Sequence, residues 1–293
     1  MPGNMKEIRR RIKSFQSTQK ITKAMEMVAA AKVRRAQERV QASRPYSEKL
    51  REVFVEVSSR LLPGEARHPL LVPSSGAKRT LLVVVTSDKG LCGGYNANVI
   101  RFAVQRSRAI KAEGRAVSLF VVGNKGIAFF RRGSLEVAKT LSGIPTPPGF
   151  VQAEVIVDEA RDLFLKGEVD RVELVYTRFH SLARYEPTSV GLLPATLPEG
   201  ERPSGPQTPY LFEPEAEELI GELIPAFLTT TVYQALLDAS AAQLAAQMMA
   251  MGAASKNAGE MISQLTLVYN KARQASITQE ILEVVGGAEA IQG

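Results

Sequence analysis

The chain has 293 residues, of which 45% are apolar and 23% charged, and its 37 Lys and Arg against 30 Asp and Glu leave a formal net charge of +7. That length suits one or two globular domains, and with no uninterrupted apolar run of about 18 residues the sequence offers no simple bilayer-spanning segment. A single cysteine, Cys92, excludes an intramolecular disulfide, and with only His68 and His180 beside it no convincing zinc site can be assembled.

The N-terminus lacks the apolar core and small-residue cleavage site of a signal peptide, so the protein is expected to stay where it is made. A basic amphipathic start can imitate a transit peptide, but Glu7 and Glu26 interrupt it and it runs straight into a long helical pattern. From Asn4 to Arg44 there is neither proline nor glycine, and Lys, Arg, Ala, Gln, Met and Glu dominate. Apolar residues step by four and three at Ile8, Ile12 and Phe15 and again at Ala29, Val33, Ala36 and Val40, the spacing of a coiled-coil seam. Between them that register reads Gln19, Thr22 and Glu26, while Ile21, Met25 and Val28 lie on a different face, so this stretch is expected to touch something besides its helical partner. Pro45 predicts a kink, and helix is expected to resume to residue 62.

Residues 63–78 are rich in Pro, Gly and Ser and read as a linker. The period then changes. Thr80–Thr86 and Val117–Val122 are continuous apolar runs, the mark of strands buried on both faces, and Val172–Thr177, Thr188–Leu193 and the weaker Leu135–Leu141 are further strands. Helical patterns at Asn98–Glu113 and Gln152–Lys166 alternate with them, which predicts a small, Rossmann-like, mostly parallel α/β domain over residues 79–200. Residues 201–214 read as an irregular connection.

From 215 to 293 a second helix is predicted. Leu237, Ala241, Leu244, Met248, Met251, Ser255, Ala258, Ile262, Leu265, Tyr269 and Ala272 step by four and three over about five heptads. The first helix enters the middle domain and the last one leaves it, so residues 1–62 and 215–293 are expected to pair as a long antiparallel coiled coil. Charge agrees with that pairing. Residues 1–51 hold fourteen Lys and Arg against four Glu, a net of +10, whereas residues 215–293 hold nine acids against three bases, a net of −6. The apolar end Ile281, Leu282, Val284 and Val285 extends past the reach of the first helix, and it predicts a partner that sheathes it.

The most tempting chemical motif is Ser87-Asp88-Lys89-Gly90-Leu91-Cys92-Gly93-Gly94-Tyr95-Asn96, after the first strand. Glycine-rich strand-to-helix turns cradle phosphates, but this one matches neither G-x-G-x-x-G nor G-x-x-x-x-G-K-[ST], and Gly123-Asn124-Lys125-Gly126 fits no better. Asp88 with Lys89 could be a catalytic pair, and Cys92 with His180 a dyad; the blander reading is a structural or docking loop. Two other classes stay open on residues alone. One is a nucleotide-binding α/β protein, the other a coiled-coil protein whose basic helix lies along nucleic acid, although no tryptophan or aromatic-interleaved patch supports the latter.

Five blocks carry a more specific resemblance: Met5–Ile12, Thr18–Ala30, Ser43–Tyr46, the Ser87–Asn96 loop and Asn270–Glu280. Together they resemble the γ subunit of bacterial rotary F-type ATP synthases, in the right order and over essentially the whole chain. The resemblance implies the central stalk of a proton-translocating complex, a rotor passing torque between the membrane ring of c subunits and the catalytic hexamer of α and β. It implies one copy per complex, contact with the ε subunit, no catalytic site, cofactor, metal or nucleic acid of its own, and a peripheral place on the cytoplasmic face of the plasma membrane. Carried over residue by residue, Lys20, Lys23, Met25, Asp88, Lys89, Cys92, Arg273, Gln274 and Thr278 would meet β subunits. Glu213 would touch the c ring, and Ile281, Leu282, Val284 and Val285 would turn in an apolar bearing. Chloroplast and cyanobacterial members carry an insertion in the middle domain that this length and single cysteine do not suggest.

Overall fold

The computed structural model describes residues 2–60, 68–72, 78–195 and 216–292. Two helices bracket the chain, α1 (Pro2–Arg60) and α5 (Ala216–Gln292), of 59 and 77 residues. Between them lie β1 (Arg79–Val85), α2 (Tyr95–Ala112), β2 (Ala116–Val122), α3 (Asn124–Phe130), β3 (Glu136–Leu141), α4 (Phe150–Leu165), β4 (Arg171–Phe179) and β5 (Tyr185–Leu193). Contacts divide the chain into two compact units. One holds the residues up to Ala30 and from Gln247 onward; the other holds the described residues from Ala31 to Ala246.

In the larger unit the sheet order is β3-β2-β1-β4-β5. β1 pairs in parallel with β2 and β4, β2 in parallel with β3, and only β5 runs antiparallel, against β4. The two-faced apolar runs have the expected cause. Leu81, Val83, Val85, Phe120 and Val122 face α4 and the helical segments of this unit, where Phe54 of α1 and Ile224, Leu228 and Val232 of α5 join the core. Leu82, Val84, Leu119 and Val121 face α2 and α3, packing on Val99, Ala103, Ile110 and Phe130. Phe54 and Phe227 stack at 4.3 Å between ring centroids, and Ser43 donates to Gln234 Oε1 at 2.5 Å, so α1 and α5 run antiparallel here.

The smaller unit is a helix pair with the same sense. A Cβ on Gly252 would lie 3.4 Å from the Glu26 carboxyl carbon, and one on Gly259 would lie 2.8 Å from Gln19 Nε2. The seam of this pair holds Gln19 and Thr22, each less exposed than its flanking residues, and the half-buried Glu26, while Ile21, Met27 and Val28 face outward. Polar side chains enter this part of the seam because the facing helix offers glycine and serine at Gly252, Ser255 and Gly259.

Three readings are refined. Helix α1 continues through Pro45 and is described as far as Arg60, the expected last residues 61 and 62 lying outside the described residues. Gly123–Gly126, which matched no phosphate-binding spacing, opens the short helix α3: a Cβ on Gly126 would meet Thr86 Oγ1 at 2.7 Å, so packing demands a residue that helix propensity disfavours. Although no apolar run in it is uninterrupted, α5 is long and apolar enough on average to pass as a membrane span. In the larger unit those apolar residues, Ile220, Ile224 and Leu228 among them, are core. Of the expected linker, residues 68–72 are described: Leu70 is buried and its carbonyl accepts from Ala195 N at 2.8 Å.

Candidate functional site

The loop after β1 is built from its own side chains. Ser87 N donates to Asn96 Oδ1 at 3.0 Å, Ser87 Oγ donates to the Lys89 carbonyl at 2.6 Å, and Asn96 Nδ2 donates to Cys92 Sγ at 3.2 Å. Gly93 at φ 53° and Leu91 at φ 64° turn the chain over. Asp88 reaches outside the loop: its Oδ1 accepts from Asn124 N at 2.9 Å, and its Oδ2 accepts from Gly143 N and Ile144 N at 3.0 and 3.1 Å. A carboxylate committed to three amides is a brace, which removes Asp88 from any catalytic pair with Lys89.

Cys92 is only 2% exposed, and burial pushes its thiol up against the lowering influence of Ser87, Asn96 and Lys125. Such a thiol is neither nucleophile nor surface contact. Cys92 lies beneath the loop, and Lys89 and the 61%-exposed Leu91 form its outward side. His180 pairs with Glu186 at 3.0 Å, and His68 Nδ1 accepts from Leu70 N at 3.3 Å; the Cys-His dyad has no counterpart. Among the described residues no group of three His, Cys, Asp or Glu could hold a metal. At the strand ends next to Ser87 a cavity of about 50 Å³, lined in part by Tyr95, Thr146 and Ser240, is too small for a nucleotide.

Two charged groups that sequence reading passed over lie inside the larger unit. Glu173, 3% exposed on β4, takes a two-pronged contact from Arg106 Nε and Nη2 at 2.7 and 2.8 Å and a further one from Arg171 at 3.2 Å. A charge in the middle of an apolar run was the available signal, but Arg106 lies 67 positions away. Asp238 on α5 is 4% exposed, and burial pushes its carboxyl up to about 6 against the opposing pull of Arg44, Gln234, Arg178 and His180.

On the helix pair, Lys20 and Lys23 are exposed, Met25 is half-buried, and Lys23 reaches Glu26 at 3.1 Å. An open groove of about 640 Å³ lies beside them, bordered across the pair by Gly252, Ser255 and Lys256. Further along α5, Arg273, Gln274 and Thr278 are all exposed, with Thr278 Oγ1 donating to the Gln274 carbonyl at 2.9 Å. Fourfold spacing carries Gln274 and Thr278 into one stripe with Leu282, and Arg273 into another with Ile277, Ile281 and Val285. Ile281, Leu282, Val284 and Val285 are all more than half exposed, Val284 at 73%. Glu213 lies outside the described residues.

Paired terminal helices and a braced loop, with no catalytic group assembled among the described residues, are the features on which likeness to known proteins bears. The sequence pattern of the ATP synthase family matches residues 4–291. The ATP synthase gamma chain of Nitrosospira multiformis is 44% identical over 291 residues, covering 98% of this chain and 99% of that one. This chain belongs to the ATP synthase γ family. The gamma chain of Paraburkholderia phytofirmans is 43% identical over 99% of this chain and all of its own. That of Nostoc punctiforme is 44% identical, 99% of each chain being covered. Its alignment runs over 317 residues, longer than these 293, so residues are inserted in the cyanobacterial relative. Among solved structures, a chain of the Tetrahymena thermophila mitochondrial ATP synthase central stalk and c ring is 27% identical, with a TM-score of 0.60 over 80% of this chain and 99% of its own. A chain of the Euglena gracilis mitochondrial enzyme, 18% identical, shares the fold with a TM-score of 0.71 over 99% of this chain and 95% of its own. The family's γ chain is the non-catalytic rotor stalk of the complex, with catalysis in the β subunits, and the terminal helices and mostly parallel central sheet found here are its fold.

Proposed function

We propose that this chain passes torque through three separate surfaces of its own. The first is the apolar end of α5, Ile281, Leu282, Val284 and Val285, which turns as a bearing inside a sleeve of the α and β subunits. The second is the pair of stripes at Arg273, Gln274 and Thr278 with the exposed Lys20, Lys23 and half-buried Met25, which meet the β subunits. The third is the loop after β1, where Lys89 and Leu91 face a β subunit while Asp88 and Cys92 hold the loop from within. Glu213 would meet the polar loops of the c ring, and the α/β domain of residues 79–200 would carry the ε subunit. One copy would serve each complex, on the cytoplasmic face of a bacterial plasma membrane.

The observation that carries this reading is the uncovered apolar end of α5. The apolar runs of the sheet strands face the core, but here four large aliphatic side chains stand in water within five residues, an arrangement that hydrophobic energetics disfavour at roughly 25 cal/mol per Å² unless a partner covers them. Mechanically, an asymmetric rotor presents different side chains to each of three catalytic sites in turn, and so drives them through unequal nucleotide affinities.

The test is reconstitution with the organism's own α and β subunits and a bead fixed to a cysteine introduced at the exposed Ala112 at the end of α2, away from the surfaces named above, Cys92 being too deep to label. Stepwise rotation in one direction on adding ATP is expected. A hexamer that assembles yet neither captures nor turns the chain would refute the reading, and Leu282→Asp with Val285→Asp should weaken capture while leaving the free chain's helicity intact.

A further inference from the structure

At the C-terminal edge of a parallel sheet, backbone amides of the strand-to-helix turns point outward, and in α/β folds they hold anionic ligands. In this chain three such amides converge on one internal carboxylate. Asp88 follows β1; the Asn124 amide follows β2; the Gly143 and Ile144 amides follow β3, and all three donate to Asp88 over 2.9 to 3.1 Å. Resting on the reading that the Lys89 loop meets a β subunit, we propose that Asp88 is its positioning residue, a built-in anion that clamps three strand ends and fixes the pose of Lys89 and Leu91.

The geometry separates this role from that of the loop's other polar residues. The Ser87–Asn96 bonds close the loop upon itself. A backbone bond from Lys125 N to the Ser87 carbonyl at 3.0 Å ties it to the turn after β2. Among the described residues, the ties to the segment after β3 come from Asp88. A carboxylate accepting from amides makes charge-assisted bonds, about twice as strong as neutral ones. The conformation being held is a costly one. Leu91 sits at φ 64° with its side chain 61% exposed, and a non-glycine residue stays there only where its surroundings over-determine the backbone. The same arrangement accounts for a Rossmann-like domain without a phosphate motif, since its outward amides already have their anion.

The proposal is tested on the full chain by amide hydrogen exchange. Asp88→Ala should speed exchange at Asn124, Gly143 and Ile144 on the order of tenfold or more, with the β1 and β2 amides unchanged. Excess sodium formate should restore protection where sodium chloride at equal ionic strength does not, because formate supplies the missing carboxylate. Should Asp88→Ala fail to fold, Asp88→Asn keeps the shape but presents an NH2 to one side of the clamp. Protection should then fall either at Asn124 or at Gly143 and Ile144. In a complex with α and β subunits, Asp88→Ala should lengthen the dwells of ATP-driven rotation severalfold, and formate should shorten them again. Unchanged exchange, or loss that formate does not repair, overturns the clamp. Altered exchange with unaltered rotation overturns its bearing on the partner. A chain that no α–β ring captures sinks the stalk reading and with it that second half, whatever the exchange shows.

Discussion

Asp238→Asn isolates the cost of one buried charge. The carboxylate sits on α5 at 4% exposure, accepts a long bond from Gln234 Nε2 at 3.4 Å, and is faced by Arg44 from α1 and by Tyr176, Arg178 and His180 from β4 and the turn after it. Burial outweighs those cations and raises its pKa from 3.8 to about 6, a rise of about two units and so roughly 3 kcal/mol of preference for the protonated form in the folded state. The sign follows from linkage. The folded chain holds this proton more tightly than the unfolded one, so the contribution is complete below pH 3.8 and is lost as pH rises through about 6. Asparagine keeps the shape and cannot ionise. Asp238→Asn should therefore match the parent near pH 4 and exceed it above pH 7 by about 2 to 3 kcal/mol. Urea unfolding of both chains across that range, with the exchange of β4 amides as a local probe, measures the difference. Parallel stability profiles, or a variant that is weaker at neutral pH, would refute the reasoning and mean that Arg44 and Arg178 solvate the carboxylate as well as water does.

Glu173→Ala removes the partner of Arg106 inside the sheet unit, and because Arg106 keeps some access to water the expected loss is about 2 to 4 kcal/mol by urea unfolding. Gly252→Ala should stabilise the helix pair by about 0.5 to 1 kcal/mol in thermal unfolding, since the new Cβ meets Glu26 at ordinary contact distance and the helix loses a glycine. The Cys92 thiol should react with maleimide at neutral pH at least about tenfold more slowly in the native chain than in urea, and equal rates would contradict its burial and its raised pKa.

The helical ends, the two-faced strands and the seam positions were legible because each rests on a pattern that local sequence displays directly, a period of 3.5 for the seam and a short unbroken apolar run for the strands. Val33, Ala36 and Val40, and opposite them Leu237, Ala241 and Leu244, are buried as their spacing demands. Helix α3 was not legible. Its Gly126 is set by the approach of Thr86, 40 positions earlier in the chain, and a packing requirement of that kind looks like a turn when read locally.

The loop after β1 divides the same way. Its failure to match a phosphate-binding spacing could be read from the residues, because such motifs need glycines at fixed positions. Which of its side chains face outward could not. Asp88 and Cys92 look as available as Lys89 in sequence, but Asp88 is claimed by amides 36, 55 and 56 residues downstream and Cys92 is turned beneath the loop. The sequence by itself determined the paired helices, their opposite charge and the apolar end of α5, since periodicity and charge are properties of neighbours along the chain. Only the tertiary structure decided which carboxylates are spent internally, at Asp88, Glu173 and Asp238, because each depends on groups that folding alone brings within hydrogen-bonding or Coulombic range.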